Sequence, residues 1–259
     1  MSDAATKPET GSVQVLRRSL EVLDLPGADD RAPLVLLHEG LGSVALWRRF
    51  PALLAAATGR RVIAFSRFGH GRSQPPAAPR TKAFFHQEAL EVLPALLATL
   101  SAERPVLVGH SDGGSIALIA GGVLPVTGIV VLAAHVFVEE MSVTEITAAR
   151  DAFVDGDLRA RMARHHDDPD AAFWGWCDVW LHPAFRAWSL DSDAARITAP
   201  TLVIQGVDDA YGSLAQVDRI VDVIGRGAER LIVPGGHSPH LERSTEVVAA
   251  IAQFTAALA

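Results

Sequence analysis

Residues 105–120 read PVLVGHSDGGSIALIA, and the reading of this stretch decides that of the rest. Val106-Leu107-Val108 is a short apolar, β-branched run bounded by Pro105 and Gly109, the pattern of a strand buried on both faces. From Gly114 to Ala120 the apolar positions take a helical period. Between them Gly109-His110-Ser111-Asp112-Gly113 forms a Gly-x-Ser-x-Gly turn in a strand–turn–helix setting. So sharp a turn brings helix against strand and leaves no space for Cβ atoms, which accounts for the flanking glycines. Its strained backbone lifts the serine hydroxyl, and the helix N-terminal amides favour negative charge developing there. Ser111 is therefore a candidate nucleophile; the plain alternative is a glycine-rich turn without chemistry.

Outward from this turn, further apolar runs bounded by Pro or Gly occupy residues 33–38, 61–65, 128–133, 200–205 and 230–233. Helix-period stretches lie between them at 44–57, 82–100, 111–123, 213–224 and 245–258. Strand alternating with helix requires right-handed crossovers, hence an α/β fold: a mostly parallel, doubly wound sheet with helices on both faces. Residues 12–25 alternate enough to supply an antiparallel edge hairpin. From 135 to 199 no strand-like run is found, while Asp/Pro turns and Trp174, Trp176, Trp180 and Trp188 gather there. Residues 1–134 and 200–259 are read as the core. Residues 135–199 are read as an inserted helical cap over the carboxyl ends of the strands, where open α/β sheets place their ligands.

Composition narrows the function classes. With 49% hydrophobic and 20% charged residues the chain can bury a sizeable core. A net charge of −7 lacks the basic stripe that phosphate backbones or anionic membranes require, so the expected partner is a small molecule, with neither nucleic acid nor membrane. Cys177 is the only cysteine, which excludes an internal disulfide and, without Cys/His spacing, argues against structural zinc. No metal or cofactor is expected. Residues 1–11 are polar and no apolar run has membrane-span length, so the reading is a cytoplasmic protein, monomeric or a small homo-oligomer.

A serine hydroxyl needs a base to take its proton and a third group to hold that base. The run at 200–205 leads into Gly206-Val207-Asp208-Asp209, and that at 230–233 into Pro234-Gly235-Gly236-His237. Both loops leave strands on the same sheet edge, so their side chains can converge on Ser111, in the chain order serine, acid, histidine. His237 directly follows the glycine pair and is taken as the base; His240, after Pro239, is assigned to the cap or pocket wall. Asp208 and Asp209 both remain open as the acid.

Acyl transfer also needs amide donors for the oxyanion. The amide of Asp112, next after the serine, is one; the loop His38-Glu39-Gly40-Leu41-Gly42-Ser43 supplies the other. That loop, Arg67-Phe68-Gly69-His70-Gly71-Arg72-Ser73, the Ser111 turn, Asp209 and His237 together resemble the α/β-hydrolase superfamily from Pro33 onward. The resemblance implies the α/β-hydrolase fold and a serine esterase of the carboxylesterase type. It prefers Asp209, three residues after Gly206, with Asp208 as a turn residue. It puts Gly40 at the donor position, with Leu41 as the alternative, and Glu39 where the family carries glycine.

Ser-Asp-Gly-Gly and the following cap are most similar to the valacyclovir-hydrolase-like (biphenyl-hydrolase-like) esterases. That similarity implies that Asp112 pairs with a substrate ammonium; read from the residue alone, it complements the dipole of the helix it begins. Small esters, thioesters, lactones and amino-acid esters fall within this reading. The alternatives on the same triad are a cofactor-free perhydrolase or haloperoxidase and a C–C bond hydrolase; the non-enzymatic alternative is a ligand-binding module.

Glu39, Leu41, His135, Phe137, Trp174, Trp176, Trp180 and His240 are candidate pocket residues. Helical spacing puts Phe173, Trp176 and Trp180 on one face and Trp174 on another, so only a subset meets ligand. The aromatic residues serve equally as cap core. His165-His166-Asp167-Asp168 reads as a solvated helix end rather than a metal site.

Overall fold

The computed structural model describes residues 10–258. Residues 1–9 and Ala259, which belong to the core boundaries and the polar N-terminal stretch read above, lie outside the described residues. Eight strands form one sheet: β1 (Thr10–Val15), β2 (Arg18–Leu25), β3 (Leu34–Leu37), β4 (Val62–Phe65), β5 (Val106–His110), β6 (Gly128–Leu132), β7 (Thr201–Gly206) and β8 (Ala228–Val233). Their order is β1-β2-β4-β3-β5-β6-β7-β8. The β1–β2 hairpin runs antiparallel at the edge, and β2 pairs antiparallel with β4. All later pairings are parallel.

The helices are α1 (Phe50–Thr58), α2 (Phe84–Gln87), α3 (Leu93–Thr99), α4 (Asp112–Gly121), α5 (Glu140–Val154), α6 (Leu158–Met162), α7 (Pro169–Trp180), α8 (Asp191–Ala194), α9 (Leu214–Ile224), α10 (Pro239–Glu242) and α11 (Ser244–Ala256). Because side chains alternate across a strand, each apolar run feeds two cores. Leu34, Leu36, Val106, Val108 and Ile204 pack with Phe50 and Leu54 of α1 and Val247 and Ile251 of α11. Val35, Leu37, Leu107 and Val203 pack with Phe84, Phe85, Leu93, Ile116 and Val217 on the opposite face. Burial on both faces explains why these strands read as continuous apolar runs.

Two of the helix-period stretches are divided. Residues 44–57 hold a 3-10 turn (Val44–Trp47) and then α1, separated at Arg48, whose φ is 53°. Residues 82–100 hold α2, a π-helical turn (Glu88–Val92) and α3. Pro94 has no N–H to return to Leu90, so the ladder widens just before it. Between β6 and β7 lie α5 to α8 and a 3-10 turn (Pro183–Phe185). Among the described residues, the only strand-like pairing in this segment is the single bridge between Phe137 and Ser189. No helix of the described residues is long and apolar enough to cross a membrane.

Candidate active site

Ser111 joins β5 to α4 at φ 52°, ψ −117°, a conformation that costs a side-chain-bearing residue about 1–3 kcal/mol and persists only where the surroundings enforce it. Here they do. The Ser111 amide donates to the Leu132 carbonyl at 2.9 Å, binding the turn to β6. A Cβ on Gly109 would lie 2.2 Å from the Gly113 carbonyl oxygen, and one on Gly113 would lie 2.0 Å from that of Leu37.

The loops after β7 and β8 bring Asp209 and His237 to this serine. His237 Nε2 lies 3.0 Å from Ser111 Oγ, and its Nδ1 lies 2.9 and 2.8 Å from the Asp209 carboxylate oxygens. A carboxylate only accepts, so Nδ1 carries the ring hydrogen and Nε2 is left to accept the serine proton. Asp209 is itself held on both oxygens: the Tyr211 amide donates to Oδ1 at 2.8 Å and Gln205 Nε2 to Oδ2 at 2.8 Å. Burial alone would raise its pKa. The bond from His237 and attraction to that ring, joined by the Tyr211 amide, outweigh burial and hold the carboxyl below the usual range. Asp208 instead is exposed, with its amide donating to Gly235.

Three further histidines close around His237. His110 Nε2 donates to the His237 carbonyl at 2.7 Å. His240 is buried against Trp47, Phe50 and His110. His135 donates from Nε2 to the Tyr211 carbonyl at 3.1 Å, and burial, aided by His237, pushes its pKa down to about 4.

The loop after β3 is clamped from beneath. Arg67, 1% exposed, donates from its guanidinium to the carbonyls of His38 and Glu39. The His38 ring accepts from the Arg67 amide at 3.0 Å and donates to the Glu39 carbonyl at 2.7 Å. With its carbonyls drawn toward Arg67, the loop leaves the Gly40 and Leu41 amides without an acceptor among the described residues. The Asp112 amide, first in α4, has no intrahelical partner either. A hydroxyl bonded to a neutral imidazole, beside free amides, can attack a carbonyl carbon and stabilise the resulting oxyanion.

A sequence model described as "Alpha/beta hydrolase family" matches residues 34–251. The chain belongs to that family. A proline iminopeptidase of Levilactobacillus brevis is 29% identical, the match covering 88% of each protein. A putative carbamate hydrolase of Variovorax paradoxus is 31% identical over 79% of this chain and 84% of its own length. Among solved structures, an enol-lactonase from Burkholderia xenovorans superposes with a TM-score of 0.73 at 20% identity, covering 94% of this chain and 99% of that one. That likeness shows the α/β-hydrolase fold.

In this α/β hydrolase the segment between β6 and β7 meets the site through α7. Trp176 packs so closely on Gly40 that a Cβ there would lie 2.2 Å from the indole nitrogen. Trp180, one turn later, donates from Nε1 to Asp112 Oδ1 at 3.0 Å. Asp112 stands in the first turn of α4, where its charge complements the helix dipole as expected; its Oδ1 is held by Trp180 of α7, and its Oδ2 is buried without a partner among the described residues. Trp174 packs on Phe153 and Phe173, and Phe137 lies beneath the Arg219 guanidinium. Trp174 thus packs within its own segment, while Phe137 meets α9.

Glu39 lines a cavity of about 70 Å³ with Trp47, His110, Ser238 and His240. Its carboxylate lies 3.8 Å from His110 Nδ1. Burial opposes its ionisation, but His110 and Arg67 outweigh it and hold the pKa below the usual value. His166 corrects the reading of residues 165–168 as a solvated end. It is 4% exposed, its Nδ1 accepting from the Gly71 amide at 3.0 Å and its Nε2 donating to the Leu41 carbonyl at 2.9 Å. Nothing in its local sequence distinguishes it from His165, because both partners come from distant segments.

Asp112 yields a pH prediction. Burial raises its pKa from 3.8 to about 6 against the pull of Arg67 and Trp180. Between those pH values the folded state holds a proton the unfolded chain has lost, so this group makes stability fall as pH rises through the interval. Stability is flat with respect to Asp112 above it. The gap corresponds to roughly 3 kcal/mol. Urea unfolding of Asp112→Asn and the parent protein from pH 4 to pH 7 is expected to show the variant gaining on the parent by up to that amount; a constant difference contradicts the assignment.

Proposed function

We propose that this α/β hydrolase is a serine esterase that cleaves a small carboxylic ester through an acyl-enzyme. The observation that carries the proposal is the unbroken relay from Ser111 Oγ through His237 to Asp209, with bonds of 3.0 and 2.8 Å. Ser111 Oγ attacks the ester carbonyl carbon as its proton passes to His237 Nε2. The carbonyl oxygen becomes an oxyanion bonded to the amides of Gly40 and Asp112. Collapse breaks the bond to the leaving alkoxide, which takes the proton from Nε2. Water then repeats the sequence: its proton goes to His237, its oxygen to the acyl carbon, and Ser111 leaves with the returned proton. Asp209 stabilises the imidazolium formed in each half.

Residues 135–199 act as a cap over this site, with Trp176 and Trp180 as its floor. Esters, thioesters and lactones share this chemistry, and the enol-lactonase neighbour is consistent with it. Two relatives favour a second reading, cleavage of a C–N bond: a proline iminopeptidase and a putative carbamate hydrolase. A panel of p-nitrophenyl esters of graded acyl length, set against aminoacyl p-nitroanilides, separates the two. Turnover of short esters that is absent in Ser111→Ala is expected; turnover of anilides alone replaces the ester reading with the second.

A further inference from the structure

The proposed oxyanion site has two halves on separate loops, and one side chain of the 135–199 segment touches each half. His166 donates to the carbonyl of Leu41 across 125 residues of chain. The Leu41 carbonyl belongs to the 41–42 peptide unit, so this bond holds the unit that directly follows those presenting the Gly40 and Leu41 amides. Trp180 holds the carboxyl of Asp112, whose amide is the other donor. Arg67 grips the His38 and Glu39 carbonyls, the second of which shares its peptide unit with the Gly40 amide, so His166 takes up the loop where Arg67 leaves it. Beyond Gly40, His166 holds the Leu41 carbonyl, and Ser66 Oγ accepts from the Val44 amide where the loop ends.

The His166 tautomer is determined by its partners. An amide N–H can only donate, so Nδ1 is the acceptor facing Gly71. A carbonyl can only accept, so Nε2 carries the hydrogen facing Leu41. Burial, the largest influence on this ring, favours the neutral form that both bonds require. Asp167 adds a third tie, its amide donating to the Gly71 carbonyl at 2.9 Å. The loop between α6 and α7 is therefore anchored on Gly71 and delivers one donor to the loop after β3.

We infer that His166 and Trp180 are positioning residues that set the two halves of the oxyanion site, so that seating the cap and aligning the oxyanion donors are one event. This rests on the serine-hydrolase reading above. Neither side chain touches the reacting atoms; His166 acts through the Leu41 carbonyl and Trp180 through the Asp112 carboxyl. Misplacing such a donor by a fraction of an ångström weakens transition-state binding more than ground-state binding, so kcat falls while KM holds.

The test compares His166→Ala, His166→Gln, His166→Asn and Trp180→Phe with the parent protein. Gln places its amide N–H near the position of Nε2 and restores a donor to Leu41. Asn places its oxygen near Nδ1 and restores only the acceptor to Gly71. Two readouts apply: ester kinetics, and the rate at which a fluorophosphonate, whose P=O oxygen occupies the oxyanion site, labels the protein. His166→Ala and Trp180→Phe are expected to lose about tenfold to hundredfold in kcat and in labelling rate, with KM within about twofold. His166→Gln is expected to recover most of the loss and His166→Asn little of it.

Recovery by Asn but not Gln assigns His166 to anchoring Gly71 alone and overturns the inference. So do equal labelling rates in all variants, with the serine-hydrolase reading left intact. A parent protein that the reagent does not label overturns that reading and this inference with it.

Discussion

Replacing Ser111 by alanine is expected to lower ester turnover by about four to six orders of magnitude, because without the nucleophile the remaining oxyanion and binding contacts supply only a small residue of the acceleration. The same substitution leaves the fold in place, since Ser111 Oγ bonds only to His237 and the backbone bond to Leu132 is untouched. The backbone adds a sharper expectation. At φ 52° and ψ −117° a Cβ is unfavourable, so Ser111→Gly is expected to be equally inactive and more stable than Ser111→Ala by about 1 kcal/mol. Paired urea melts and ester assays measure both quantities. An alanine variant within tenfold of parental activity would remove Ser111 from the chemistry, and a glycine variant less stable than alanine would contradict the strain.

Asp209→Asn is expected to lower kcat by about ten-thousandfold with KM little changed. The carboxylate accepts from His237 Nδ1, from the Tyr211 amide and from Gln205. An asparagine has one oxygen to answer these donors, and its NH2 must face one of them. The arrangement that satisfies Tyr211 or Gln205 turns NH2 toward Nδ1, which then becomes the acceptor. The ring hydrogen moves to Nε2, where it blocks proton transfer from Ser111. Asp208→Asn is the control: Asp208 is exposed, and full activity is expected to survive its replacement. Comparable losses in both variants would point to disruption of the loop and against a specific role for Asp209.

The distribution of what was readable in the chain follows from range. Ser111, Asp209 and His237 each follow an apolar strand run on one sheet edge, so local patterns and topology bring their loops together, while the choice of Asp209 over Asp208 came from the family resemblance. The same holds for the strands, whose runs are apolar because both faces are covered. What escaped was set by approach between distant segments. His166 was read as solvated because its partners, Gly71 and Leu41, carry no signal in the residues around it. The bond from Trp180 to Asp112 left no local signal because the two residues are 68 positions apart. The Arg67 clamp was missed for the same reason, although a guanidinium buried without a carboxylate bond can be satisfied by carbonyls whose loop must be held open. The interruption at Arg48 left no breaker in the sequence beyond Pro51, a residue well tolerated in a first helical turn.

Glu39 shows how these layers meet. Its place in the loop after β3, where the family resemblance implies glycine, was visible from sequence; the further lowering of its pKa by His110 and Arg67 against burial comes from the packed structure.

Acyl transfer by this site requires that Ser111 Oγ take the acyl group. The most direct measurement is peptide mapping by mass spectrometry of the protein quenched during turnover of a slowly deacylating ester. One acyl adduct is expected, carried by Ser111 and absent from Ser111→Ala and His237→Ala. An adduct on another residue, or hydrolysis that proceeds at the parental rate in Ser111→Ala, would contradict that expectation.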